Sequence, residues 1–394
     1  MHEVKMMEIK KRNLEEELYS CAQCGYCVDI CPIYEEIPWE SASPRGKLYW
    51  IKGILTEGFL RPNIEIDENF VNRLFQCTLC GRCHEICQTD LDTMGLWTTA
   101  RAEVYLSGMR PGNLNSIAEN LDETKNPYGL DADMRLDWAD YTDLEDAPLK
   151  DEAEIAYFVG CTTAFKGVNH NTAFSTATLL NHMEEDWTLL GEDEWCCGSP
   201  LIMAGDMEAA REFAEHNITE IEEKGVKTLL TGCPSCFRMW KFEIPELIGR
   251  ELNFTIKHSI EHIHQRINEG KLAPIASSER ITYHDPCELS RLGGILDEPR
   301  EILKAYATDF VEMPEHGMDV RCCGGGGLLQ ATDNELRLSI AKYRLEQASS
   351  VGAETLISSC PACNTTFLDA VRADGGDIEV LDLMEYIVQK LGLD

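Results

Sequence analysis

Eighteen of the 394 residues are cysteine, and their spacing divides them into two populations. Eight lie in the runs CAQCGYCVDIC, with Cys21, Cys24, Cys27 and Cys31, and CTLCGRCHEIC, with Cys77, Cys80, Cys83 and Cys87. Ten more lie in the second half: Cys161, Cys196, Cys197, Cys233 and Cys236, then Cys287, Cys322, Cys323, Cys360 and Cys363. Taken in order, the second five follow the first five by 126, 126, 126, 127 and 127 residues, which marks an internal duplication. Disulfide frameworks belong to small exported domains. This chain is long, and its opening MHEVKMMEIKKRNLEEEL has no apolar stretch of the kind a signal peptide carries. The thiols therefore read as metal ligands.

Each N-terminal run is C-x2-C-x2-C-x3-C, the spacing of bacterial two-cluster ferredoxins, in which the fourth cysteine serves the other cluster. That pairs Cys87 with Cys21, Cys24 and Cys27, and Cys31 with Cys77, Cys80 and Cys83. Zinc sites use paired C-x2-C units instead. Gln88 stands where a proline often follows the fourth cysteine, but that proline shapes a turn and ligates nothing. Helical segments must hold the runs. SPRGKLYWIKGILTEG offers Ser43 as N-cap and Pro44 as the first helical residue. ENFVNRLFQ precedes the second run and LWTTARAEVYLSG follows it, and Leu48 and Ile51 fall at helical spacing as core. This module resembles the helical two-cluster modules of succinate dehydrogenase iron–sulfur subunits and of the small C-type subunit of heterodisulfide reductase.

The duplicated half reads as strands alternating with helices. EIAYFVGC matches RITYHDPC and KTLLTGCPSC matches ETLISSCPAC, each an apolar strand delivering cysteine; TIKHSIEHI matches EVLDLMEYI. The amphipathic stretches DMEAAREFAEHNITEIEEKG and DNELRLSIAKYRLEQASSVG separate the double cysteine from the C-x2-C pair. Such alternation implies a largely parallel sheet with ligands on the strand-end loops. Adjacent cysteines cannot both face one way from a regular element. They need an irregular turn, and Gly324 and Gly325, matched by Gly198 in the first copy, are expected to let backbone approach a bulky inorganic cofactor.

The repeated C-x34-C-C-x35/36-C-x2-C pattern resembles the duplicated CCG domain of the B-type subunit of heterodisulfide reductase. With the ferredoxin module ahead of it, the chain resembles the D-type subunit of the membrane-associated enzyme of methanogenic archaea, a match that uses all eighteen cysteines. The resemblance implies a helical ferredoxin-like domain followed by a duplicated α/β cysteine-rich domain. It implies two cubane and two noncubane 4Fe–4S clusters, the latter one per five-cysteine set, and cleavage of the coenzyme M–coenzyme B disulfide. It also implies a protein electron donor, either a membrane b-type cytochrome or a flavin-containing partner. A layout shared with lactate, glycolate and glycerol-3-phosphate dehydrogenase subunits, or with electron-bifurcating complexes, keeps a pure electron relay as the alternative. His284, three residues before Cys287, is the expected proton donor to product thiolate, ahead of His258 and His170. Lys166, Arg238, Lys241 and Arg291, each within five residues of a cluster cysteine, are the expected contacts for the anionic ends of the substrate.

Composition bounds the rest. Sixty-nine acidic residues against 35 basic give a formal charge of −34, which argues against nucleic acid and against unaided binding to anionic lipid. No apolar run reaches the ~20 residues of a membrane span. The expected location is the cytoplasm, peripheral to the inner face of the cell membrane through a partner. The expected division is 1–110 for the ferredoxin-like domain, 111–153 for an acidic surface linker, 154–277 for the first cysteine-rich copy and 278–394 for the second.

Overall fold

Two parallel four-stranded sheets carry the duplication. In the computed structural model, which describes residues 14–55, 66–140 and 147–393, the first sheet comprises β1 (Ile155–Phe158), β2 (Trp187–Thr188), β3 (Thr228–Thr231) and β4 (Thr255–His258). The second comprises β5 (Ser277–His284), β6 (Ala307–Phe310), β7 (Thr355–Ser358) and β8 (Glu379–Asp382). Their orders are β2-β1-β3-β4 and β6-β5-β7-β8, and every pairing is parallel. The inner strands IAYF and TLIS are buried at every position, as a sheet covered on both faces requires.

Register sets up the sites. Phe158 pairs with Thr231 and His284 with Ser358, so the two inner strands of each sheet end level with each other. The strand order reverses between them, which opens a crevice at their carboxyl ends. The next residues into that crevice include Cys161 and Cys233 in one copy and Cys287 and Cys360 in the other.

The helices Met207–Glu223 and Asn334–Ser350 correspond, each 17 residues long. Asp206 and Asp333 cap them by accepting the amides of Ala209 and Leu336. The first buries Phe213, Asn217 and Ile218; the second buries Arg337, Ile340 and Arg344. One apolar core runs through both copies, with Tyr157, Leu230, Ile281, Tyr283, Ile357 and Tyr386 among its members.

In the N-terminal module Leu48, Ile51, Leu74, Phe75, Leu96, Trp97 and Val104 form a separate core. Ser43 caps the helix Pro44–Leu55 as its sequence indicates, its Oγ accepting the Gly46 amide at 2.9 Å. Residues 111–153 differ from a plain surface linker. They carry the helix Leu114–Thr124 and a short 3-10 turn, Ala132–Leu136, and they bury Leu121, Asn126, Arg135 and Trp138. These anchors stand singly between acidic residues, so no periodicity announces them. Residues 1–13, most of the opening stretch MHEVKMMEIKKRNLEEEL that shows no signal-peptide pattern, and residues 141–146 of this segment lie outside the described residues. Among the described residues no helix is long and apolar enough to cross a membrane.

Candidate metal centres

In the first copy the thiols form a continuous chain of contacts, Cys161–Cys196–Cys197–Cys236–Cys233. The second copy repeats it as Cys287–Cys322–Cys323–Cys363–Cys360, with Cys323 Sγ 3.2 Å from Cys363 Sγ. All these cysteines are free. Gly198 and Gly324 adopt left-handed conformations (φ +86° and +92°) just after the double cysteines, which is the irregular turn that adjacent ligands need. The amides of Gly324 and Gly325 donate to Cys322 Sγ and Cys323 Sγ, both at 3.3 Å.

The remaining glycines serve another contact. A Cβ on Gly325 would lie 2.7 Å from Thr366 Oγ1, one on Gly326 2.5 Å from the Thr78 carbonyl oxygen, and one on Gly327 2.2 Å from that of Cys77. Gly326 and Gly327 thus seat the second copy against the backbone of the ferredoxin module. At the start of the run the approach is again to protein: a Cβ on Gly324 would lie 2.6 Å from the Arg337 carbonyl oxygen.

The ferredoxin cysteines line two cavities. Cys31, Cys77, Cys80 and Cys83 line one cavity; Cys21, Cys24, Cys27 and Cys87 line a second, with Cys83 in the wall between. Burial pushes the Cys27 and Cys31 thiols up to about 11. Cys80 also contacts Cys322, so one ferredoxin site adjoins the second copy directly.

Charge tests whether these groups suit iron–sulfur clusters. Arg101, fully buried, donates to the carbonyls of Leu74, Cys77, Met203 and Gly327. Arg291 donates to those of Cys80, Met318 and Val320. Neither guanidinium has a carboxylate partner among the described residues. A buried cation left unpaired costs several kcal/mol, and thiolate-ligated clusters bring the negative charge that offsets it. The residues present fit such clusters.

Other expected residues are placed as follows. His284 is buried, and its Nδ1 accepts Arg344 Nε at 3.1 Å; burial and that guanidinium hold its pKa well below the usual imidazole range. A histidine held neutral in this way has no proton of the imidazolium kind to give. His258 caps the helix Ser259–Asn268, with its pKa pushed down to about 3 by burial. His170 opens the helix His170–His182. Arg291 is consumed by carbonyls, and Arg238 is paired with Glu243 at 2.6 Å and Glu288 at 3.2 Å. Lys241 lies 3.8 Å from Glu261. Lys166 is half-buried 5.4 Å above the Tyr128 ring, and burial lowers its pKa.

The structure adds residues that spacing did not reveal. Glu288, next to Cys287, accepts from Ser235 and Arg238 of the opposite copy, and Asn169 donates to Thr365 at 2.9 Å. The two copies therefore meet beside their cysteines. Arg135 places Nη2 3.6 Å from Cys161 Sγ and pairs with buried Glu194 at 2.7 Å; Glu194 also accepts the Val159 and Gly160 amides.

Residues 20–92 match the 4Fe-4S dicluster domain family, and residues 155–241 and 281–368 match the cysteine-rich CCG domain family. The chain is 36% identical to the D-type subunit of dihydromethanophenazine:CoB–CoM heterodisulfide reductase of Methanosarcina acetivorans, across 96% of this chain and 95% of that protein. It is 28% identical to the B-type subunit of fumarate reductase (CoM/CoB) of Methanothermobacter marburgensis, across 94% of this chain and 72% of that one. It is 24% identical to EtfAB:quinone oxidoreductase of Syntrophomonas wolfei, across 94% of this chain but 58% of that one.

Proposed function

From a chain that belongs to the family of D-type subunits of heterodisulfide reductase, we propose that the reaction is reduction of the coenzyme M–coenzyme B disulfide, R–S–S–R′ plus two electrons and two protons giving RSH and R′SH. The chain is an iron–sulfur oxidoreductase subunit. Its ferredoxin module would hold two cubane clusters, on Cys21, Cys24, Cys27 and Cys87 and on Cys77, Cys80, Cys83 and Cys31. Each five-cysteine set would hold one noncubane cluster. Bound there, the clusters supply one-electron transfers. The electrons come from a partner protein, either a b-type cytochrome or a flavoprotein, which would also hold the chain at the inner face of the membrane.

One observation carries this reading: two complete, matching sets of five thiols flank the contact of Glu288 with Ser235 and Arg238. A two-electron cleavage of a two-sulfur substrate suits two such sites side by side. Paired Arg238 and consumed Arg291 leave Lys166 as the best-placed cation for the sulfonate, phosphate or carboxylates of the substrate. The aromatic ring beneath Lys166 keeps its ammonium from wandering.

The test is reduction of the mixed disulfide by the anaerobic full chain with a reduced viologen dye. Replacing Cys196 and Cys197, or Cys322 and Cys323, by serine should abolish turnover about equally, while the ferredoxin clusters still take up electrons. The match to EtfAB:quinone oxidoreductase favours a second reading, a pure relay. A chain with all sites loaded that accepts electrons and leaves the disulfide intact would establish the relay and overturn the first reading.

A further inference from the structure

We propose that His284 and Arg344 form a cationic, hydrogen-bonding pair that stabilises the reduced state of the second-copy cluster, making that copy the electron-accepting half of the duplication. This rests on the reading that each five-cysteine site holds a cluster.

His284 ends β5, and one of its ring nitrogens lies within 4.8 Å of both Cys323 Sγ and Cys363 Sγ. Arg344 Nε can only donate, so His284 Nδ1 is an acceptor and the ring proton sits on Nε2. With the Nδ1 lone pair taken and Nε2 protonated, the ring has no free lone pair for iron. Of the pair's N–H groups, Arg344 Nη2 has no partner and stays open to an acceptor. Arg344 itself is fully buried, with Nη1 on Gln347 and Nη2 without a partner. The carboxylates nearest it are engaged elsewhere: Asp285 with Arg300 at 2.7 Å, and Glu315 with Arg82 at 2.6 Å. Neither carboxylate closes an ion pair with Arg344 among the described residues, and its guanidinium also acts on Cys323.

The first copy lacks both residues. Phe158 stands where His284 does, three residues before the first cysteine, and packs edge-on against Trp240. Asn217 stands where Arg344 does, at the same distance from the capping aspartate, and bonds the backbone of Trp195 and Cys196. The cation at the first copy's sulfur, Arg135, is neutralised by Glu194. The two sites therefore share ligands but not charge. Positive charge and hydrogen bonds to sulfur raise a cluster's reduction potential. The copy so endowed is also the one whose Cys322 touches Cys80 of the ferredoxin module.

The experiment is a potentiometric titration of the anaerobic full chain followed by electron paramagnetic resonance, with iron and sulfide analysis on every sample. His284→Phe and Arg344→Asn each import the first copy's residue. Both should lower the potential of the second-copy cluster, leave that of the first-copy cluster in place and retain iron; Arg344→Lys should recover part of the shift. A second-copy potential unmoved at full iron content, or both copies shifting together, would overturn the proposal. So would loss of the second-copy cluster in His284→Phe, which would mark a ligand, and Arg344→Asn then shows separately whether charge alone moves the potential. An unsubstituted chain with no iron in the second copy would instead overturn the cluster reading itself, and the proposal with it.

Discussion

Replacing Gly327 by alanine should open the seam between the ferredoxin module and the second cysteine-rich copy. Gly327 has φ +62°, and an added Cβ would lie 2.2 Å from the Cys77 carbonyl oxygen and 2.7 Å from the Thr78 carbonyl carbon. Both obstacles are backbone, so no rotamer relieves them. Two costs add: about 1–2 kcal/mol for an alanine held in the left-handed region, and about 1–3 kcal/mol for overpacking. Gly375→Ala separates them. Gly375 has φ +70° with nothing within 4 Å of its virtual Cβ, so that substitution carries the conformational cost alone. The difference, about 1–3 kcal/mol, corresponds to about 5- to 150-fold in a local opening equilibrium. Hydrogen exchange reads such openings residue by residue. Amides of 74–80 and 325–332 in Gly327→Ala should gain that much more exchange than the amides flanking residue 375 gain in the control. Equal gains would show that the seam yields at no cost, and that the glycines there answer to something other than backbone approach.

Cys87→Ser should erase the spectroscopic signal of the cluster on Cys21, Cys24 and Cys27 and spare that on Cys77, Cys80 and Cys83, because Cys87 lines the former cavity; a loss confined to the latter would contradict the crossed assignment. Burial pushes the Glu385 carboxyl up to about 7. Its folded pKa lies above the ordinary glutamate value of about 4.3, so its contribution to stability is full below that value and is lost as pH rises through about 7. Glu385→Gln should therefore flatten the decline in unfolding midpoint between about pH 5 and about pH 8; an unchanged slope would contradict the burial argument.

Repetition made the cysteine sites legible. The offsets of 126 and 127 residues place five matching thiols per copy, and the strands flanking them needed only apolar runs to be recognised. Contacts between repeats and modules leave no such trace. Arg101 reaches Gly327 across 226 positions, and Arg291 reaches Cys80 across 211. In sequence, Arg291 looks like any cation beside a cysteine; only the carbonyls around it show that its donors are spent. The GGGG run announced close approach, but its partner, the Cys77–Thr78 backbone, lies in another module. The exchange of Phe158 for His284 was visible by aligning the copies, yet its meaning depends on Arg344, which sits on a different helix.

Arg135 has a practical consequence for anyone dissecting the chain. The cysteine-rich homology begins at residue 155, and a piece cut there would look complete, with all ten thiols aboard. It would nonetheless leave Glu194 buried without its guanidinium, and losing one member of a buried ion pair costs about 3–5 kcal/mol. The same carboxylate holds the amides of Val159 and Gly160, which aim the loop ending in Cys161. Such a fragment should reconstitute its second site more readily than its first, whereas one begun near residue 112 keeps the clasp. Functionally, the first repeat reaches back to Arg135, ahead of the residue 155 at which its homology begins.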